Sequence, residues 1–150
     1  KEAPNAGFSP AASFILGGQI AGEAPCLHMI YPEGNFIEAT RETCFYQIGE
    51  SKYGKPVLDR LLSPETTLPN AAKCALVSMD STMKSNVTVG PPVELLLYER
   101  DSLVLSMYRR LDEHDPYLNA LRASWAENIR LAIAALPLFR LEASGRPPGA

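Results

Sequence analysis

Two stretches of this chain carry apolar side chains on both faces of a predicted β-strand, and they constrain the fold most. Residues 12–18, ASFILGG, and residues 93–98, VELLLY, have strand-forming compositions with little alternation between apolar and polar positions. Strands with such continuous apolar runs are buried on both faces. A sheet that contains them therefore needs a cover on each side, from helices or from a second sheet.

Strand-forming and helix-forming segments follow one another in blocks along the chain. Apolar runs bounded by turn residues predict strands, and apolar residues three or four positions apart predict helices. The order predicts an antiparallel meander of four strands, two helices, a β-hairpin and one long helix, which is an α+β fold. The predicted strands are 12–20, 26–31, 35–40, 43–48, 93–98 and 103–108, and the predicted helices are 53–62, 68–85 and 116–136.

These elements predict an incomplete domain. Two helices placed between hairpins can cover only one face of a sheet, and the chain has too few strands to build a second sheet. We therefore interpret residues 12–140 as part of a larger domain. Residues 1–11 are interpreted as a linker or a ragged start. The tail, residues 141–150, is rich in Pro and Gly and is predicted to be disordered.

Composition excludes several classes of function. A length of 150 residues suits one domain, and 46% hydrophobic with 21% charged residues is ordinary for a soluble protein. The net charge of −3 provides no basic surface for nucleic acid. No apolar run approaches the roughly 20 residues of a membrane helix. Three cysteines without close spacing argue against a disulfide framework or a zinc site, so we expect reduced thiols in the cytoplasm.

The two histidines give little support to a histidine-dependent hydrolase. His28 lies in a predicted strand, where packing or surface exposure is the simplest role, and His114 lies in an acidic loop before a helix. A Ser-His-Asp or Cys-His arrangement is therefore poorly supported. The segment GGQIAGE lacks the lysine and the helix of a phosphate-binding loop.

Two segments stand out as candidates for chemistry. Residues 48–59, IGESKYGKPVLD, form a sharp corner between a predicted strand and a predicted helix, with Ser51 at the corner. Residues 78–90, SMDSTMKSNVTVG, place Asp80 inside a helix and hydroxyl residues near its end. Each segment alone is a weak signal, because hydroxyls near helix ends usually bond to the backbone.

Taken in this order, the two segments resemble the C-terminal part of a proteasome β-type subunit. The text YPEGNFIEAT…FYQIGESKYGKPVLDRLL is most similar to the bacterial proteasome-type peptidase family called Anbu (ancestral β-subunit), and DSTMKSN is also similar to a helix end of the HslV peptidase. The resemblance covers residues 12–136. It implies an N-terminal nucleophile hydrolase fold, an αββα sandwich, of which this chain holds the C-terminal part.

The resemblance also implies an activity. Such enzymes use a Thr that begins the mature chain as nucleophile and its α-amine as base, which is consistent with the few histidines here. A proteasome-like threonine peptidase is implied, which hydrolyses peptide bonds through an acyl-enzyme and self-associates into a ring or helical oligomer in the cytoplasm. The alternatives are a catalytically silent structural or assembly subunit and an amidase on small amides.

This chain departs from the family's pattern at the nucleophile. Lys1 is not a Thr, and residues 1–10 do not resemble the Thr-bearing first strand. We therefore expect the chain to be the C-terminal piece of a subunit. It would supply supporting residues, be inactive alone, and need the missing N-terminal portion as a partner.

Several site residues are implied by the resemblance. Ser51 is expected near the reactive amine, with Glu50 as the alternative at the same corner, and Ser51 could also cap the helix. Asp80 is expected to hold the adjoining turn, and Ser85 to face the nucleophile.

A cation site is also expected, at the end of the second helix. The last carbonyls of a helix lack partners within the helix, and its dipole makes that end negative. The backbone oxygens of Met79, Thr82 and Ser85 are therefore expected to bind Na⁺, Mg²⁺ or Ca²⁺, or else a water molecule. No organic cofactor is expected.

Overall fold

The computed structural model describes residues 11–140, and they form a mixed α+β structure as predicted. A three-stranded antiparallel sheet comes first, followed by two helices, a β-hairpin and a long helix. The elements are β1 (Phe14–Gly18), β2 (Cys26–Ile30), β3 (Phe36–Glu38), α1 (Lys55–Leu61), α2 (Leu68–Ser85), β4 (Val93–Leu97), β5 (Met107–Leu111) and α3 (Pro116–Ala134).

The sheets are simple hairpin arrangements. The first has the order β1-β2-β3, with Leu16 opposite His28 and His28 opposite Glu38. The second pairs β4 with β5, with Leu95 opposite Arg109. Gly34, in the turn between β2 and β3, has a φ of 88°, a conformation that favours glycine.

The predicted fourth strand at 43–48 is wrong, because this segment pairs with no strand within residues 11–140. The hydroxyl oxygen of Thr40 accepts hydrogen bonds from the backbone N–H groups of Glu42 at 3.2 Å and Thr43 at 3.1 Å. Together with the backbone bond from the Thr40 N–H to the Thr43 carbonyl at 3.1 Å, they close a compact turn at residues 40–43. Within residues 11–140 no strand pairing with β3 follows this turn.

The second strand of the later hairpin begins at Met107, four residues after the predicted start at 103. The side chain of Gln19, just beyond β1, organises the intervening loop. Its Oε1 accepts from the Tyr98 hydroxyl and from the Asp101 N–H, both at 2.8 Å, and its Nε2 donates to the Asp101 carboxylate at 2.6 Å. This contact between distant parts of the chain lengthens the loop and has no local signal in the sequence.

The long helices begin and end close to the predicted positions. Thr67 is the N-cap of α2, although its side chain makes no capping hydrogen bond, and α2 ends at Ser85. The Asp115 carboxylate caps α3 by accepting from the Leu118 N–H at 3.0 Å. Each of these two helices has a proline in its first turn. Proline is tolerated there because the backbone N–H that it lacks would have no partner within the helix. None of the helices among residues 11–140 is both long enough and apolar enough to cross a membrane.

The buried core lies where α2 and α3 pack on the second hairpin. Its members are Leu76, Val93, Leu111 and Leu118, with Met83, Leu95 and Leu121 packed against them.

Several apolar surfaces remain uncovered within residues 11–140. On β1, Phe14 is 59% exposed and Leu16 is 58% exposed. On α3, the predicted apolar face is buried at Leu118 but exposed at Ile129 and, beyond the helix, at Leu136. Phe14 and Leu16 are two positions apart and share one face of the first sheet, and Ile15 on the opposite face is 38% exposed, so neither face of β1 is fully covered within residues 11–140.

We expect the capping carboxylate of Asp115 to make stability depend on pH. Hydrogen bonds from the Leu118 N–H and from the Arg109 guanidinium hold the pKa of Asp115 below its ordinary value. A lowered folded-state pKa adds stability above the unfolded-state pKa, and this stability is lost as the pH falls through the folded-state pKa. Urea unfolding of the complete protein should therefore show Asp115→Asn less stable than the wild type at pH 7. The difference should shrink below about pH 3.9, the ordinary pKa of an Asp side chain, and a constant difference would contradict the role of the charge.

Candidate functional site

The corner at residues 48–59 and the C-terminal half of α2 pack directly against each other. Gly54 is buried against α2, and a Cβ at this position would lie 2.2 Å from Ser78 Oγ and 2.8 Å from the Ser78 carbonyl oxygen. The Thr82 hydroxyl oxygen would be 3.1 Å away. The absence of a side chain at Gly54 therefore allows the two segments that the sequence singled out to meet.

Side-chain hydrogen bonds join the corner, and the residue just before it, to the same part of α2 and to its C-cap. Gln47 Nε2 donates to Ser78 Oγ at 3.4 Å, and Asn86 Nδ2 donates to Glu50 Oε2 at 3.2 Å. Asn86 directly follows α2 and is its C-cap residue. The two bonds reach Ser78 and Asn86, which are about two helical turns apart.

Ser51 lies at the corner, half-buried, beside a cavity of about 310 Å³. Its backbone carbonyl accepts from the Lys55 N–H at 2.8 Å and opens the first turn of α1. The N-cap residue is Gly54, and no side chain caps this helix. The Ser51 hydroxyl therefore does not serve as the helix cap, and its role toward a reacting group stays a prediction. The cavity is also lined by Met29, Phe45, Tyr46, Gln47 and Lys55.

The Tyr46 phenol in this cavity has a raised pKa. Loss of hydration is the main cause, and the neighbouring Tyr31 and Glu38 add to it. Tyr46 is therefore neutral near pH 7 and can donate a hydrogen bond.

Asp80 lies on a different side of α2 from the corner. Arg122 Nε on α3 donates to Asp80 Oδ1 at 2.8 Å, and the Asp80 side chain is 15% exposed. Since residues of an α-helix are 100° apart, Asp80 projects away from the face that carries Ser78 and Thr82. The pair ties α2 to α3, and the structure does not bring Asp80 next to Ser51.

The three residues of the expected cation site differ in their surroundings. Thr82 is buried, its hydroxyl donates to the Ser78 carbonyl at 3.0 Å, and its own carbonyl accepts from the Asn86 N–H at 2.8 Å. Ser85 is exposed and borders a cavity of about 680 Å³ between α2 and α3. Met79 is 38% exposed. Within the described ranges, no group of three or more His, Cys, Asp or Glu residues could hold a metal ion.

The carbonyl oxygen of Thr82 has a second lone pair that is available to a cation. A carbonyl oxygen can accept two partners, so the Thr82 oxygen can bind a cation while it accepts from Asn86. Such hard oxygen ligands suit Na⁺, Mg²⁺ or Ca²⁺.

Sequence reasoning missed several residues of the site. Gly54 could have been identified from the sequence, because a glycine just before a helix at a sharp corner indicates close packing of the backbone. Asn86 could have been identified as well, as a short polar residue after the last helical turn. Gln47 had no such signal; its Oε1 is buried and has no hydrogen-bond donor among residues 11–140.

Comparison with known proteins identifies the family. No protein-family model and no curated protein matches the chain. Among solved structures, Anbu (ancestral β-subunit) from Yersinia bercovieri is similar at 48% identity and a TM-score of 0.85, over 88% of this chain and 56% of that one. Anbu from Hyphomicrobium sp. strain MC1 is similar at 47% identity and a TM-score of 0.84, over 87% and 56%.

A third structure, the helical assembly of the Anbu complex from Pseudomonas aeruginosa, is similar at 52% identity and a TM-score of 0.82. The match covers 85% of this chain and 53% of that one. The chain thus spans little more than half the length of the structures it matches. Identity of about one residue in two over most of the chain, with a common fold, is family-level similarity: the chain belongs to the Anbu (ancestral β-subunit) family.

Proposed function

We propose that the complete protein is a proteasome-like threonine peptidase subunit with an αββα sandwich fold. Residues 11–140 supply one wall of its active site, and the nucleophile comes from a portion of the subunit that these 150 residues do not include. The contact between the corner and the end of α2 carries the proposal, because two segments with hydroxyl and acidic residues meet there around a buried glycine. The family relationship and the partial coverage of the relatives support it.

The proposed chemistry is acyl transfer followed by hydrolysis. The Thr hydroxyl oxygen attacks the peptide carbonyl carbon, and its proton passes to the α-amine, whose ordinary pKa near 8 suits a base close to neutral pH. The proton then moves to the departing amine nitrogen as the peptide bond breaks. Water hydrolyses the resulting ester and restores the free hydroxyl. The three unpaired cysteines are compatible with a cytoplasmic location.

A test needs the complete protein and two substrate classes. Fluorogenic peptides and small amides should be compared at equal concentration, and the proposal expects turnover of the peptides. Turnover of small amides alone would favour an amidase.

A catalytically silent assembly subunit is the second candidate. The exposed apolar residues on β1 and α3 and the helical assembly of the Pseudomonas aeruginosa relative favour self-association of this protein. Oligomers without peptide turnover and without acylation by an electrophile would support this candidate against the peptidase.

Ser51→Ala should lower the rate of the proposed reaction. The Ser51 hydroxyl is expected to orient the reactive amine, so acylation by an electrophilic inhibitor should slow by about 10- to 100-fold. Since Ser51 does not cap α1 through its side chain, the melting temperature should change little. Both quantities should be measured in the complete protein. Unchanged acylation would remove Ser51 from the site.

We also propose a cation at the end of α2, bound by the carbonyl oxygens of Met79, Thr82 and Ser85. A high-resolution map of the complete protein should show about six oxygens at about 2.1–2.5 Å from the ion. Two to four partners at about 2.8 Å would instead identify a water molecule and end this proposal.

A further inference from the structure

The cleft between α2 and α3 combines basic side chains with an apolar surface, and the proposed peptidase chemistry uses neither. Its volume is about 680 Å³. The charged residues of its lining are three basic and one acidic, namely Lys84, Arg122, Arg130 and Asp80. The chain as a whole has a net charge of −3. The cleft is therefore a locally positive site on an acidic protein, and its charge favours an anion as ligand.

Asp80 holds the guanidinium of Arg122 in place on the wall of the cleft. Arg122 Nε donates to Asp80 Oδ1 at 2.8 Å, and the Arg122 side chain is 27% exposed. Among the described residues, Nη2 donates only to the sulfur of Met83, a weak acceptor at 3.7 Å, and Nη1 has no acceptor. The two terminal nitrogens are thus available for the bidentate contact that a guanidinium makes with a phosphate or a carboxylate.

The other two positive charges of the cleft are weakly matched. Lys84 is exposed and makes no ion pair in the described part of the chain. Arg130 pairs with Glu127, and both side chains are more than half exposed, at 72% and 57%. Such exposed pairs contribute little, so Arg130 remains able to contact a ligand. The C-terminal end of α2 carries only about half a negative charge, which is smaller than the positive excess of the lining.

Apolar side chains form the rest of the lining. Met83 of α2 lies there with Trp125, Ala126 and Ile129 of α3. Ile129 is 41% exposed, and Trp125 is half-buried. An inorganic anion would leave this surface in water, whereas an aromatic or aliphatic group attached to the anion would cover it.

The charges also distinguish the cleft from a surface that the rest of the subunit would cover. The uncovered residues of β1 are apolar, at Phe14, Ile15 and Leu16. Basic side chains are almost never fully buried unless they are paired. Because Lys84 has no such partner within residues 11–140, we expect the cleft to stay open to solvent in the complete protein.

We propose that the cleft between α2 and α3 binds a small organic anion. Its phosphate or carboxylate group lies between Lys84, Arg122 and Arg130. Its aromatic or aliphatic body lies against Trp125 and Ile129. Clefts of about 300–1,000 Å³ accommodate ligands of this kind. The site is separate from the proposed peptide hydrolysis, which requires no ligand there.

Calorimetric titration of the complete protein tests the ligand class with four probes. Phenyl phosphate and benzoate carry both an anionic group and an aromatic body, inorganic phosphate lacks the body, and benzyl alcohol lacks the charge. At least one of the two organic anions should bind, and the probe that lacks the charge should bind about 10-fold more weakly or less. The tighter of the two organic anions identifies the anionic group. If inorganic phosphate binds as tightly as both, the apolar lining contributes nothing and the proposal is overturned.

A pair of variants tests the place of binding. Lys84→Gln removes one charge from the cleft and should weaken binding of the organic anion by about 10-fold. Lys73→Gln removes the same charge from the same helix, outside the lining of this cleft, and should leave the affinity unchanged. Both lysines are exposed, so both variants should fold. Equal effects of the two variants would show that only the overall charge matters and would overturn the site.

The fluorescence of Trp125 gives a measurement that needs no activity. Trp125 is the one tryptophan of the 150 residues. The difference between the wild type and Trp125→Phe therefore separates its emission from that of any tryptophan elsewhere in the complete protein. The organic anion should change this emission over the same concentrations as in calorimetry. Binding without such a change, or no binding of either organic anion, would overturn the proposal, whatever the peptidase assays show.

Discussion

Residues 1–150 expressed alone should aggregate and should show no peptidase turnover. The proposed nucleophile lies outside this sequence, so the expected loss of activity is complete. The apolar side chains of β1 have no cover within residues 11–140, and exposed apolar patches and open sheet edges promote association. Solubility and size-exclusion chromatography would measure the aggregation, and fluorogenic peptides would measure the turnover.

The complete protein at the same concentration is the control for this experiment. It should be soluble and active under conditions in which the segment is neither. A soluble monomer of residues 1–150 with peptide turnover would disprove two claims. One is that the nucleophile lies outside these residues, and the other is that the apolar side chains of β1 need a cover from outside them. A soluble but inactive segment would leave the catalytic part of the account intact and refute the structural part.

Gly54→Ala should destabilise the complete protein strongly for a single added methyl group. The new Cβ would lie 2.2 Å from Ser78 Oγ and 2.8 Å from the Ser78 carbonyl oxygen. The hydroxyl can rotate, but the carbonyl belongs to the helix and can move only with it. Overpacking of this kind costs about 1–3 kcal/mol. Urea unfolding would measure the loss, and acylation by an inhibitor would show whether the corner also moves.

Gly18→Ala provides the matched control, since no heavy atom lies within 4 Å of a Cβ added there. Ser78→Ala removes the hydroxyl but keeps the carbonyl, so the double variant should recover only part of the lost stability. Equal stability of Gly54→Ala and Gly18→Ala would show that the corner does not pack on α2 as described.

The parts of the fold that depend on local patterns could be predicted from the sequence. The helices α2 and α3 have apolar residues at helical spacing and clear boundaries, at Thr67 and Asp115. The segment at 43–48 has an equally clear strand composition but pairs with no strand within residues 11–140, because strand pairing depends on tertiary contacts that composition does not specify. The later hairpin was misplaced because Gln19 binds its loop from a distant part of the chain.

The sequence identified the two segments that form the candidate site, but it did not predict the contacts between their side chains. Ser51 and the end of α2 were singled out, and the two segments do meet. The partner of Asp80 was not predictable, because Arg122 is distant in sequence and reaches Asp80 only after α3 packs on α2. The bond between Glu50 and Asn86 likewise depends on tertiary packing.

One measurement tests the central claim most directly: intact-mass analysis of the complete, purified protein after reaction with an electrophilic peptide inhibitor, followed by peptide mapping. The account predicts one adduct per subunit, on a Thr that begins the mature chain and lies outside residues 1–150. It also predicts a slower reaction in Ser51→Ala. An adduct within residues 1–150, or peptide turnover without any adduct at an N-terminal Thr, would contradict it.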